Sequence, residues 1–174
     1  SEKERFVTYY FNGLREDPFP SEERVIIPSP RVTTYDKKPE MSARELTQRL
    51  VSEITSNSYD FIVINYANPD MVAHTGNIKA TIKACEVIDE CIGLLADTVI
   101  PLGGILVITA DHGNAEEMVN ATTQVPDTEH NANPVLFIAA STQLQLSRQV
   151  PQGILADVAP TILSLLQLPT PVTM

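Results

Sequence analysis

A chain of 174 residues with 43% hydrophobic content is long enough for one domain with a genuine core, and no stretch reaches the roughly 20 consecutive apolar residues of a membrane span. Acids outnumber bases 22 to 12, giving a net charge of −10, which disfavours nucleic acid and anionic membranes as partners and favours cations. Two cysteines, Cys85 and Cys91, are too few for a disulfide framework and no signal peptide opens the chain, so a cytoplasmic location is expected.

The chain opens on Ser1, with Glu2-Lys3-Glu4-Arg5 directly before an apolar run, as a chain entered part-way would. Phe6 to Phe11 is aromatic and β-branched and predicts a strand, and the acidic, proline-containing stretch from Arg15 to Glu23 predicts a surface loop. Arg24 to Ile27 is a short apolar run closed by Pro28-Ser29-Pro30. Ser42, with Glu45 three residues on, has the form of a capping box and starts a helix striped by Leu46, Leu50 and Ile54. Phe61 to Tyr66 predicts a buried strand. A helix over Ile78 to Val99 places Ile82, Cys85, Ile88 and Ile92 on one face, and Gly103-Gly104 ends it. Ile105 to Thr109 and Val135 to Ala139 predict further strands, and Asp157 to Leu166 a last helix with Pro160 in its first turn. Strands alternating with helices point to an α/β layered fold with a mostly parallel sheet.

All three histidines lie in acidic or amide-rich clusters: Asp70-Met71-Val72-Ala73-His74, Asp111-His112-Gly113-Asn114 and Glu129-His130-Asn131. Asp70 and His74 share one face of a helical turn and can grip one cation, while Asp111 and His112 can do so in the turn that follows a strand. One Asp-x-x-x-His alone would signify no more than a histidine hydrogen-bonded to a nearby carboxylate. Three such places, two of them just after predicted strands, favour a shared, binuclear metal site.

These motifs, with Val7-Thr8-Tyr9-Tyr10-Phe11-Asn12-Gly13, Pro28-Ser29-Pro30-Arg31-Val32, Pro39-Glu40-Met41-Ser42 and Leu155-Ala156-Asp157-Val158-Ala159-Pro160-Thr161, resemble the cofactor-independent phosphoglycerate mutase family of the alkaline-phosphatase superfamily. The resemblance covers nearly the whole chain. It implies a three-layer αβα, alkaline-phosphatase-like fold in which residues 1–174 form the carboxyl-terminal part of the phosphatase-like, metal-binding domain. The implied activity is interconversion of 3-phosphoglycerate and 2-phosphoglycerate through a phosphoserine, with two Mn²⁺ ions and no requirement for 2,3-bisphosphoglycerate. By the same resemblance Asp70, His74 and His130 hold one manganese, Asp111 and His112 hold part of the other, and Lys3 contacts the phosphoryl group.

The chain departs from the family in lacking the nucleophile segment Asn-Ser-Glu-Val-Gly-His, an amino-terminal aspartate of the second metal shell and the inserted domain whose arginines grip the phosphoglycerate carboxylate. Phe6 stands where the family often has histidine, and Leu14 where it has a second glycine. The expectations are therefore a chain that binds metal but is inactive alone, and that self-associates where the whole enzyme is a monomer. A metal-dependent phosphatase or phosphopentomutase of the same superfamily, or a non-catalytic metal-binding module, are the alternatives.

Overall fold

The structure, a computed structural model, describes residues 2–56, 58–120, 122–145 and 152–174. Two units are distinguished, residues 1–142 and 143–174. At the start of the first, the expected Phe6 to Phe11 strand is replaced by a 3₁₀ turn, Glu4–Phe6, and further turns through Gly13. The Thr8 hydroxyl donates to the Glu4 carbonyl at 3.0 Å, and the Tyr10 and Asn12 amides reach back to the Arg5 and Thr8 carbonyls at 2.9 Å each. Backbone groups that a strand would offer to a neighbour are thus satisfied locally.

Helix α1 spans Ala43–Ser56, α2 Asn68–Ala73 and α3 Ile78–Val99. Ser42 does precede α1, and its hydroxyl donates to the Pro28 carbonyl at 2.7 Å, tying the helix start to the preceding segment. The boundaries of α3 are those expected: the Asn77 side chain accepts from the Ala80 N–H at 3.2 Å, and the Gly104 N–H closes onto the Val99 carbonyl at 3.0 Å. Its buried face is not the expected one. Ala80, Ala84, Val87, Cys91 and Leu95 are buried, whereas Ile82 and Cys85 are exposed. The small side chains decide this: Val72 of α2 packs on Ala80 and Ala84, and Ala43 of α1 packs on Val87 and Cys91, with Tyr66 and Ile88 against that cluster.

Phe61 to Tyr66, expected as a buried strand, joins no ladder among the described residues, and its first three side chains are exposed. The sheet that does form is two-stranded. Strand β1, Leu106–Thr109, pairs antiparallel with β2, Phe137–Ala140, in the register Leu106↔Ala140 and Thr109↔Phe137. The expected parallel arrangement is not seen here because the chain leaves β1 at Thr109 and returns at the same end after an excursion, residues 110–136, that holds no helix among the described residues; a parallel neighbour needs a crossover. The α/β character stands, and the excursion carries half of the candidate site.

The second unit contains a 3₁₀ turn, Leu155–Asp157, and helix α4, Val158–Leu165. Asp157 organises it: its carboxylate accepts from the Ile154 N–H at 2.8 Å, and its carbonyl accepts from the Thr161 hydroxyl at 2.6 Å.

Candidate metal centre

Helix α2 is short but firmly seated. Pro69 stands in its first turn, and the buried Asn68 donates to the Pro39 carbonyl at 2.8 Å. Asp70 and His74 are one turn apart, joined by the His74 N–H to Asp70 carbonyl bond at 3.1 Å, so both side chains project from one face. Gly76, at φ +72°, then turns the chain into α3. His130 arrives from the 110–136 excursion, whose two limbs are joined by the bridges Gly113↔Asn131 and Val119↔Pro126.

The three side chains converge. His74 Nε2 and His130 Nε2 lie 3.1 Å apart, and they stand 3.1 Å and 3.0 Å respectively from Asp70 Oδ1. Three donors arranged at right angles around one first-row divalent cation, each at about 2.1 Å, are themselves about 3 Å apart, so the triangle fits such an ion. Tautomer chemistry points the same way. His74 Nδ1 lies 2.6 Å from the Thr128 carbonyl, which can only accept, so Nδ1 carries the hydrogen and a neutral His74 presents a lone pair at Nε2. A lone pair, a second imidazole nitrogen and a carboxylate oxygen meet favourably only around a cation or a proton.

Asp70 supplies the charge. Burial pushes its carboxyl upward, but the Lys3 ammonium 2.9 Å from Oδ2 and the Asn114 amide donating to Oδ1 at 2.8 Å outweigh that and hold it at about 2. Lys3, for which the family resemblance implies a contact with the phosphoryl group, is brought directly to the carboxylate of this cluster, with the Phe6 ring centroid 4.9 Å away.

His112 stacks on His130 with ring centroids 3.7 Å apart and planes 24° apart, and its Nδ1 is buried with no hydrogen-bond partner. Asp111 is exposed, with Oδ1 3.6 Å from His112 Nε2. Among the described residues, Asp70, His74 and His130 therefore form a three-donor set, while Asp111 and His112 stand beside it as a pair. Sequence reasoning singled out all five. It missed Glu116, Asn131 and Asn133, which lock the excursion, and the role of Asn114 on Asp70; the one signal was the density of asparagines around the histidines. Burial raises the Glu116 carboxyl, yet its own N–H, the Asn133 and Asn131 amides and the Asn114 N–H bring it down to about 2.

A triangle of donors that could hold a cation sits on this α/β scaffold, and residues 1–170 match the metalloenzyme superfamily, to which the chain belongs. Among its relatives are the 2,3-bisphosphoglycerate-independent phosphoglycerate mutases of Clostridioides difficile, 50% identical over 98% of this chain, and of Nitrosococcus oceani, 52% identical over 98%. The chain spans 34% and 33% of the length of those two relatives. A crystal structure of Leishmania mexicana phosphoglycerate mutase at low cobalt concentration superposes with a TM-score of 0.88 at 32% identity, covering 98% of this chain and 34% of that one. The fold is accordingly the alkaline-phosphatase-like α/β fold expected from the sequence.

Proposed function

We propose that this chain is the carboxyl-terminal, metal-binding portion of a 2,3-bisphosphoglycerate-independent phosphoglycerate mutase, a cytoplasmic enzyme of glycolysis and gluconeogenesis that interconverts 3-phosphoglycerate and 2-phosphoglycerate through a phosphoserine. The carrying observation is the Asp70, His74 and His130 triangle with Lys3 against it. Asp70, His74 and His130 would hold one Mn²⁺, and Asp111 with His112 would contribute to a second. Bound there, the ions supply charge neutralisation for a transferring phosphoryl group and acidify a hydroxyl that must become nucleophilic. Asp70 provides the anionic donor, and the Thr128 carbonyl fixes the His74 ring so that Nε2 faces inward. Lys3 holds a positive charge against the Asp70 carboxylate, from which it would turn to a phosphoryl oxygen of the substrate. About half-identical relatives that share the phosphoglycerate mutase name support this substrate class over other phosphate esters.

The test is calorimetric. Mn²⁺ should bind the 174-residue chain, and the His74→Ala, His130→Ala double variant should lose that binding; equal binding by both would overturn the assignment. The family's nucleophile segment has no counterpart in this sequence, so the chain alone should give no 2-phosphoglycerate in an enolase-coupled assay, and weak ester hydrolysis at most.

A further inference from the structure

We propose that Glu116 is a positioning residue whose carboxylate clamps the loop bearing Asp111 and His112 to the loop bearing His130, and so presets the donor triangle before any cation arrives. What the triangle is for rests on the metal-binding reading above; the clamp itself concerns only this chain's own loops.

The two carboxylate oxygens of Glu116 serve different loops. Oε2 accepts from the Asn114 N–H at 2.9 Å and Oε1 accepts from the Asn133 side-chain amide at 3.0 Å. Beside this staple the Asn131 N–H donates to the Gly113 carbonyl at 2.9 Å. The limbs press together so closely that a Cβ on Gly113 would lie 2.0 Å from Asn131 Oδ1 and 2.3 Å from Glu116 Oε1. A side chain at Gly113 would have to displace the ends of these two side chains, which make the staple. Asn114 extends the staple to the third element, since its amide donates to Asp70 Oδ1 on α2 at 2.8 Å and its side chain is buried.

Two donors of the triangle, Asp70 and His130, are thereby tied to Glu116. His130 precedes Asn131, Asp70 is held by Asn114, and His112 from one limb stacks on His130 from the other. An anion suits the position better than an amide, because two N–H donors face it and bonds to an ionised acceptor are about twice as strong. With its oxygens spent on these donors, Glu116 acts by holding loops rather than by ligating. Partners of this kind behind metal ligands usually change affinity about 10- to 100-fold when removed.

The experiment compares the parent chain with Glu116→Gln, which keeps the shape but turns an NH₂ towards one of the two donors. Calorimetric Mn²⁺ affinity should fall by about tenfold or more. Glu117→Gln, which disturbs an acceptor 2.8 Å from Asn133 and leaves the Asn114 bond intact, should stay within about twofold of the parent. With His130→Ala already in place, Glu116→Gln should cost less further affinity than in the parent, because the part of its effect that runs through His130 is already lost. Hydrogen exchange of the metal-free chain reads the clamp independently: the Asn114 and Asn131 amides should exchange about tenfold faster or more in Glu116→Gln, with α3 amides unchanged. Should Glu116→Gln fail to fold, Asn133→Ser removes one arm of the staple and takes its place. Unchanged exchange at Asn114 and Asn131 would overturn the clamp, and unchanged Mn²⁺ affinity in a folded variant would overturn its positioning role. If instead parent binding proves indifferent to His74 and His130, the metal reading fails while the exchange data still decide the clamp.

Discussion

Asp70 serves four polar partners with two oxygens, Oδ1 facing His74, His130 and Asn114 and Oδ2 facing Lys3. Its ionised form is therefore worth more to the folded chain than to the unfolded one, and the same holds for Glu116 among its amide donors. Both fall to about 2 in the fold from ordinary values of 3.8 and 4.5. A carboxyl depressed by folding contributes stability that is fully present above its unfolded value and is lost as pH falls through its folded one. The metal-free chain should thus lose stability from about pH 4.5 down towards pH 2, and Asp70→Asn with Glu116→Gln should flatten that part of the curve while lowering stability at neutral pH. Urea unfolding at pH 7, 4, 3 and 2.5 checks it. Parallel curves for parent and double variant would show that these two groups are not the source.

At the scale of elements, α3 is the beam on which the other helices rest, and the side on which they rest was set by alanines. Val87, in the middle of α3, is fully buried against Ala43 of α1, whereas Ile82 is 55% exposed. Val87→Ala should destabilise by about 2 kcal/mol, from lost burial and the cavity left behind. Ile82→Ala, on the stripe that periodicity alone would place in the core, should cost under about 0.5 kcal/mol. Denaturant melts of the two variants separate these faces; equal losses would mean that Ile82 is covered and the described packing is wrong.

At the scale of the molecule, several of the exposed apolar side chains gather around one cavity. Phe11, Val25, Ile26, Phe61, Ile62 and Val63 are all exposed, and their segments line a cavity of about 450 Å³ with Leu46 and Leu50 of α1. Patches of this kind on isolated chains associate. Light scattering should show species larger than a monomer at high micromolar concentration, and Ile62→Lys with Val63→Lys should shift the population back towards monomer. A strict monomer with no binding of a hydrophobic dye would mean that the patch is adequately shielded by its own surroundings. No helix among the described residues is long and apolar enough to cross a membrane.

The sequence by itself determined whatever depends on neighbours along the chain. Asn77 and Gly103-Gly104 set the ends of α3, and the spacing of Asp70 and His74 put them on one face because a helical turn brings residues four apart together. The motif residues also pointed to the family without a contact being known. Pairing and burial were decided only by tertiary structure. Phe61 to Tyr66 has the composition of a buried strand, but a strand exists only with a hydrogen-bonded neighbour, and none stands beside it among the described residues. Whether β1 and β2 run parallel depended on the 110–136 excursion folding back on itself, a matter of loop bridges rather than hydrophobic period. The triangle closed for the same reason: His130 lies 60 residues from Asp70, and what brings it to 3.0 Å is the Gly113 to Asn131 crossing, which periodicity cannot register because it is built from amides and one absent side chain.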